Sequence, residues 1–270
     1  MANEPHYPKR YGAWALIAGG SDGLGAALSH ELAARGMNCL LVARRAPVLD
    51  ALAEELRAAH GVEVRTLSLD LSMSDAPAQL EAATAALDLG IVVFNAGAEA
   101  SGSHFVDTPF ADWLPTLQRN IVGLTDALHR FATHFRSQGR GGIVIVGSEA
   151  AFGGAARGAL YTASKGYSLN LGESLWAELA PHGVDVLTLL FRISDTPMLR
   201  SVLARKGIPV EATGATPPAE IARATIAALP HGPVLNFDEA SSPTGGNLAS
   251  GVVRRENVQR VSAGMEGFYG

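Results

Sequence analysis

Apolar residues alternate along the chain between two patterns. Short runs rich in Val, Ile and Leu predict β-strands at Trp14–Ala18, Asn38–Ala43, Val62–Ser68, Ile91–Asn95, Ile143–Ser148, Asp185–Phe191 and Val234–Phe237. These runs lack strict apolar–polar alternation, as expected for a sheet covered on both faces. Between them, Gly23–Arg35, Val48–His60, Ala76–Leu87, Phe110–Arg136, Tyr161–Ala180 and Ala219–Leu229 carry a helical period. Pro115 predicts an irregular first turn or a kink in the fourth of these helices. Repeated strand–helix units predict an α/β fold, a doubly wound parallel sheet of about seven strands with helices on both faces. Ligands of such sheets bind beyond the carboxyl ends of the strands, where the strand order reverses.

Two stretches depart from that rhythm. Asp195–Gly214 has no sharp period, and residues 195–215 read as a lid. Residues 238–270 read as a C-terminal tail, Ser/Gly-rich over Asp238–Gly251 and helical over Val252–Met265. No internal repeat or linker divides the chain, so all 270 residues are expected to form one domain.

Composition narrows the classes without choosing a chemistry. With 47% apolar and 17% charged residues, the chain is too apolar for disorder, and its apolar runs are far too short to span a bilayer. A formal net charge of −5 with no basic stripe disfavours nucleic acid as a partner. The lone Cys39 suits a reducing compartment, and Met1–Tyr11 has no apolar run that would make a signal peptide. A cytoplasmic location without membrane partners is expected. The histidines are scattered, with His129 and His134 five apart on a predicted helix, so no metal site is expected.

Chemistry enters at the first strand–helix junction, Ala18-Gly19-Gly20-Ser21-Asp22-Gly23-Leu24-Gly25. Gly19, Gly23 and Gly25 allow a tight turn and close approach of backbone to a pyrophosphate. Ser21 and Leu24 lie in the same loop, and the following helix adds free N–H groups and positive dipole charge. The spacing G-x-x-x-G-x-G differs from G-x-G-x-x-G, and by itself also suits an ordinary strand–helix turn. At the end of the second strand, where a carboxylate would hold the ribose hydroxyls of NAD, the chain has Ala43-Arg44-Arg45. Guanidinium groups there suit the 2′-phosphate of NADP(H) and make NAD(H) the poorer candidate, although two arginines also suit an exposed strand end.

Tyr161-Thr162-Ala163-Ser164-Lys165 opens a helical segment, and a spacing of four sets the tyrosine and lysine on one face. A free tyrosine holds its proton to about pH 10, and a neighbouring ammonium favours the ionised form. The lysine is one of only three in the chain, with Lys9 and Lys206. Ser148 precedes the tyrosine by thirteen residues, at the end of a predicted strand.

Taken in order, these motifs resemble the short-chain dehydrogenase/reductase family, a Rossmann-type fold whose members carry T-G-x-x-x-G-x-G in the loop. Here Ala18 replaces the threonine, and Phe94-Asn95-Ala96-Gly97 is similar to the family's N-N-A-G. The resemblance implies that Asn120, Ser148, Tyr161 and Lys165 are catalytic. It places Asp70 at the adenine, Asn95, Ala96 and Gly97 beside the cofactor, and Thr196 at the carboxamide. Read alone, Asp70 equally suits a helix cap or turn. The family's P-G-x-V-x-T appears here as Phe191-Arg192-Ile193-Ser194-Asp195-Thr196, which leaves the nicotinamide pocket open to reshaping.

Glu149, Phe152, Phe191, Met198 and Leu199 are candidates to line a pocket for a bulky or aromatic carbonyl or alcohol. Each also suits plain packing. The expected function is NADP(H)-dependent interconversion of a ketone and a secondary alcohol, in a homodimer or homotetramer. The alternative is an NADP(H)-binding sensor on the same scaffold. Halohydrin dehalogenases are similar to the family but have arginine where Lys165 stands and lack the glycine loop.

Overall fold

Seven aliphatic segments pair into one parallel sheet in the computed structural model, which describes residues 7–97, 103–241 and 250–269. The strands are β1 (Trp14–Ala18), β2 (Asn38–Ala43), β3 (Val64–Ser68), β4 (Leu89–Phe94), β5 (Gly141–Val146), β6 (Val184–Leu190) and β7 (Val234–Asn236). Their order is β3-β2-β1-β4-β5-β6-β7, so the chain reverses its direction of travel between β1 and β4. Ala18 pairs with both Val42 and Phe94, which brings the carboxyl ends of β2, β1 and β4 level at the reversal. Every residue of β1, β4 and β5 is buried, whereas the edge strand β3 buries only Val64.

Period-two alternation divides the strand side chains between two cores. Ala15, Ile17, Leu41, Val93, Val144 and Leu189 face one layer, formed by α2 (Gly23–Ala34), α3 (Ala46–His60) and α9 (Pro218–Ala228). The short α1 (Tyr7–Arg10) closes this layer with Tyr7, whose hydroxyl donates to the Ile226 carbonyl at 2.6 Å. Leu16, Val42, Val92, Phe94, Ile143 and Ile145 face the other layer, formed by α4 (Ala76–Thr84), α6 (Gly123–Gln138) and α7 (Ala159–Leu179).

The region predicted as one helix over Phe110–Arg136 is three pieces. α5 (Phe110–Leu117) passes through Pro115, and a π-helical turn over Gln118–Val122 then leads into α6. The irregularity thus falls three residues beyond the proline. Gly123 closes the turn on the Gln118 carbonyl, where a β-carbon would sit 2.9 Å from that oxygen.

The segment read as aperiodic contains α8 (Pro197–Arg205) and a short 3-10 turn over Val210–Thr213. Thr196 caps α8 by accepting the Leu199 N–H at 3.2 Å, and Pro197 stands at the first helical position, where its missing donor costs nothing. The last helix, α10 (Gly251–Tyr269), packs on α7 and β7. Its Arg254 forms a two-point ion pair with the buried Glu173 of α7, at 2.5 and 3.0 Å.

Candidate active site

The glycine loop folds tightly through backbone geometry that side chains would block. Gly19 and Gly23 have φ of +87° and +51°, in the left-handed region. A β-carbon on Gly25 would lie 2.0 Å from the Gly19 oxygen. Asn95 pins the loop to the end of β4, its Nδ2 donating to the Gly19 oxygen at 2.8 Å, while the Asn95 and Ala96 N–H groups donate to the Ala18 carbonyl. Leu24 turns its side chain into the core beneath the loop, so only its backbone is left to meet a ligand.

Beyond the loop opens a cleft of about 230 Å³ at the strand-order reversal, whose lining includes Ser21, Arg44, Arg45, Asp70, Gly97 and Arg119. Arg45 pairs with Asp22 at 3.3 Å, and Asp22 itself caps α2 through the Gly23 N–H at 2.7 Å. Asp70 is both a turn residue and part of the cleft wall. Its Oδ1 accepts the Ser72 N–H and hydroxyl at 2.9 and 2.8 Å, and with Arg44 and Arg119 nearby its pKa lies below the usual carboxylate range. Thr196 reaches this region from the far side, its Cγ2 standing 2.8 Å from where a Gly23 β-carbon would be.

Tyr161, Lys165, Asn120 and Gly97 converge beside the cleft. Lys165 is 8% exposed and donates from Nζ to the Val146 carbonyl at 2.9 Å. Nζ also sits 5.6 Å from the Tyr161 ring centre. Burial, with the nearby Arg119 charge, lowers the lysine's pKa to about 8. The π-helical turn presents Asn120 inward, where Nδ2 donates to Ser164 Oγ at 3.3 Å and to the Gly97 carbonyl at 3.5 Å. A β-carbon on Gly97 would come within 3.4 Å of both Asn120 Oδ1 and Lys165 Nζ. These groups border a cavity of about 10 Å³, room for one water among polar partners. Ser148 starts the 3-10 turn over Glu149–Phe152, accepts the Ala150 N–H at 3.2 Å and donates to the Phe191 carbonyl at 3.5 Å.

The residues assigned to the substrate side divide. Met198 is 52% exposed on α8, and Leu199 is half-buried on the same helix. Glu149 instead accepts the Asn236 amide at 2.9 Å, Phe152 packs on Leu169, Leu190 and Val234, and Phe191 packs on the sheet core. Those three serve the scaffold around Ser148. Arg192 is exposed, and its backbone N–H is held by Asp238 Oδ2 at 2.8 Å. Sequence reasoning missed Arg119, Asn236 and Asp238. A charged residue on a helix reads as a solvated position, and nothing in the spacing joins the end of β7 to the Ser148 turn.

Crevices at the switch point of a Rossmann-type sheet are where nucleotide-dependent oxidoreductases bind their cofactors, and that is the class this fold and cleft define. Within it, the chain belongs to the short chain dehydrogenase family, whose profile matches residues 13–207. It is 32% identical over 192 residues to the 7β-hydroxysteroid dehydrogenase of Clostridium sardiniense, covering 71% of this chain and 73% of that protein. It is 35% identical over 191 residues to the very-long-chain 3-oxoacyl-CoA reductase of Podospora anserina, covering 69% of this chain and 56% of that protein. Among solved structures, a short-chain dehydrogenase from Sphingobium yanoikuyae in complex with NADPH superposes with a TM-score of 0.76 at 28% identity, over 94% of each chain.

Proposed function

We propose that the chain is an NADP(H)-dependent oxidoreductase that interconverts a ketone and a secondary alcohol, with Tyr161 as general acid and base. The observation that carries this reading is the meeting of Lys165, Asn120 and Gly97 beside a glycine-lined cleft, one helical turn from Tyr161.

The cleft residues fit a dinucleotide. Gly19 and Gly25 let the loop close on its own backbone and on Asn95 and Ala96, which sets the start of α2 at the cleft where a pyrophosphate would be held. Arg44 and Arg45 stand where a ribose-binding carboxylate would repel a 2′-phosphate. Arg44 is the freer choice for that phosphate, because Arg45 shares its charge with Asp22. The bound nicotinamide would supply or accept the hydride. Asp70 and Thr196 would meet the two ends of a bound cofactor, with Asn95, Ala96 and Gly97 between them.

In reduction, the Tyr161 hydroxyl gives its proton to the substrate oxygen, and the Ser148 hydroxyl, turned away from the Phe191 carbonyl it now meets at 3.5 Å, donates a hydrogen bond to that oxygen. Lys165 has three donors. One is spent on Val146, which leaves others for Tyr161 and the cofactor ribose. A water taken up by the small cavity beside Asn120 would pass a proton from solvent to the lysine and so back to the tyrosine.

The substrate we assign is bulky and apolar. Phe105, Val106, Phe110 and Leu114 after β4, and Ile193, Met198 and Ile208 after β6, are exposed apolar residues on segments that leave the carboxyl edge of the sheet. Residues 195–215, with α8, act as the lid over this edge. Hydroxysteroids and long 3-oxoacyl chains, the substrates in the relatives' names, share that bulk and apolarity. We further assign a cytoplasmic homodimer or homotetramer, paired through α6 and α7, whose outer faces form a groove of about 370 Å³ lined by Leu128, Ala132, Leu171 and Leu175. Among the described residues, no helix is long and apolar enough to cross a membrane.

Absorbance of reduced nicotinamide tests the reading against a panel of small and bulky ketones. NADPH consumption with bulky ketones is expected. Tyr161→Phe should lower kcat at least about a thousandfold and leave the NADPH Kd within about twofold. Tight NADPH binding without turnover of any carbonyl would favour a sensor, and preference for small aliphatic ketones would overturn the substrate assignment.

A further inference from the structure

Arg119 touches both halves of the site. Its guanidinium lines the nucleotide cleft with Arg44 and Asp70, and its Nε donates to Asn120 Oδ1 at 3.1 Å. That bond sets the direction of everything beyond it. With Oδ1 accepting from arginine, the Asn120 amide presents Nδ2 to Ser164 Oγ at 3.3 Å. Ser164 in turn donates its hydroxyl proton to the Tyr161 carbonyl at 2.8 Å. The donors all point one way, from the cleft through Arg119, Asn120 and Ser164 to the backbone of Tyr161. Turning the amide over would set two oxygens, Asn120 Oδ1 and the Gly97 carbonyl, against each other where Nδ2 now meets that carbonyl at 3.5 Å.

We propose that Arg119 is a positioning residue that couples occupation of the nucleotide cleft to the setting of the Tyr161 helix. It acts in two separable ways. Its charge joins Arg44 in holding the phosphate-bearing cofactor, and its Nε–H fixes the orientation of Asn120. The proposal rests on the cofactor and tyrosine assignments made above. A lysine at this position keeps the charge but has no donor placed partway along its stem, whereas methionine loses both. The two roles therefore come apart in two variants.

NADPH binding followed by fluorescence, and kcat at saturating NADPH and ketone, are measured for wild type, Arg119→Lys and Arg119→Met, with melting temperatures to establish folding. Arg119→Met is expected to weaken NADPH binding about tenfold and to lower kcat about tenfold. Arg119→Lys is expected to keep the NADPH Kd within about threefold of wild type while kcat still falls about tenfold. Full recovery of kcat in Arg119→Lys would overturn the orienting role. An unchanged NADPH Kd in a folded Arg119→Met would overturn the charge role. Failure of the functional assignment looks different, because there wild type itself turns over no ketone, and the binding measurements still decide whether Arg119 holds the cofactor.

Discussion

Replacing Lys165 by methionine separates the cost of burying an ammonium from its use. The side chain is 8% exposed. Burial, assisted by the Arg119 charge, lowers its pKa from 10.5 to about 8. One pKa unit corresponds to about 1.4 kcal/mol, so holding the charged form inside the fold costs about 3 kcal/mol at neutral pH. Methionine fills a similar volume without charge. It also strands the Val146 carbonyl that Nζ now meets at 2.9 Å, a loss of about 1–2 kcal/mol.

The net expectation is a variant that is inactive yet about 1–2 kcal/mol more stable at neutral pH. The folded-state pKa lies below the unfolded one, so between about pH 8 and 10.5 the unfolded chain binds more protons and wild-type stability rises. Below that window both states hold the proton, and the cost is constant. The variant lacks this slope, so its advantage shrinks above about pH 8, by about 1.4 kcal/mol per pH unit, and reverses near about pH 9. Urea denaturation of the cofactor-free proteins on both sides of the window measures the difference. A variant less stable than wild type by one constant margin throughout would refute a desolvated ammonium at this position.

Arg44→Ala is expected to raise the KM for NADPH about tenfold and leave that for NADH within about twofold, with Arg45→Ala the weaker change because Asp22 already holds that guanidinium at 3.3 Å. Equal effects on both cofactors, read from steady-state kinetics, would remove the 2′-phosphate from Arg44. The Thr188 hydroxyl is buried with no hydrogen-bond partner among the described residues, close against Gly172 of α7. Thr188→Val removes that oxygen at constant shape and is expected to stabilise the fold by about 1 kcal/mol, a rise of about 2–4 °C in Tm. A lower Tm would mean that the hydroxyl is satisfied.

Much of the sheet was readable because its strands are buried on both faces, and a run such as Ile143–Val146 has few other places to go. Element ends were read less well. β3 starts at Val64 and not at Val62, since Gly61 ends α3 in a left-handed turn and the Glu63 N–H is taken by Asn38 Oδ1. The π-helical turn was invisible because one extra residue in a helix barely disturbs a 3.6 period over so long a segment. That turn nevertheless sets the direction of Asn120. α8 had legible start signals in Thr196 and Pro197 and an apolar stripe of Met198, Leu199, Val202 and Leu203, but its nine residues hold too few turns for a period to stand out. Glu149, Phe152 and Phe191 were read toward the substrate because chain position says nothing about which way a side chain turns. Only the tertiary neighbours Asn236, Leu169 and the sheet core decide that.

The end of β6 shows how a motif can change while its geometry survives. Phe191 and Arg192 stand where the family pattern has proline and glycine, residues that stiffen and thin the backbone. Here the stiffness comes from the turns that follow β5 and β7. The Phe191 carbonyl accepts the Glu149 N–H at 3.1 Å and the Ser148 hydroxyl at 3.5 Å, and the Arg192 N–H is taken by Asp238. Asp238 in turn donates its own N–H to Asn236 Oδ1 at 3.3 Å, and Asn236 holds Glu149. The circuit closes on the turn that bears Ser148, with the Arg192 side chain exposed outside it. Substitution of the proline and glycine therefore does not unfasten this segment. It transfers the fixing of the turn that bears Ser148 to two polar side chains, Asn236 at the end of β7 and Asp238 just beyond it.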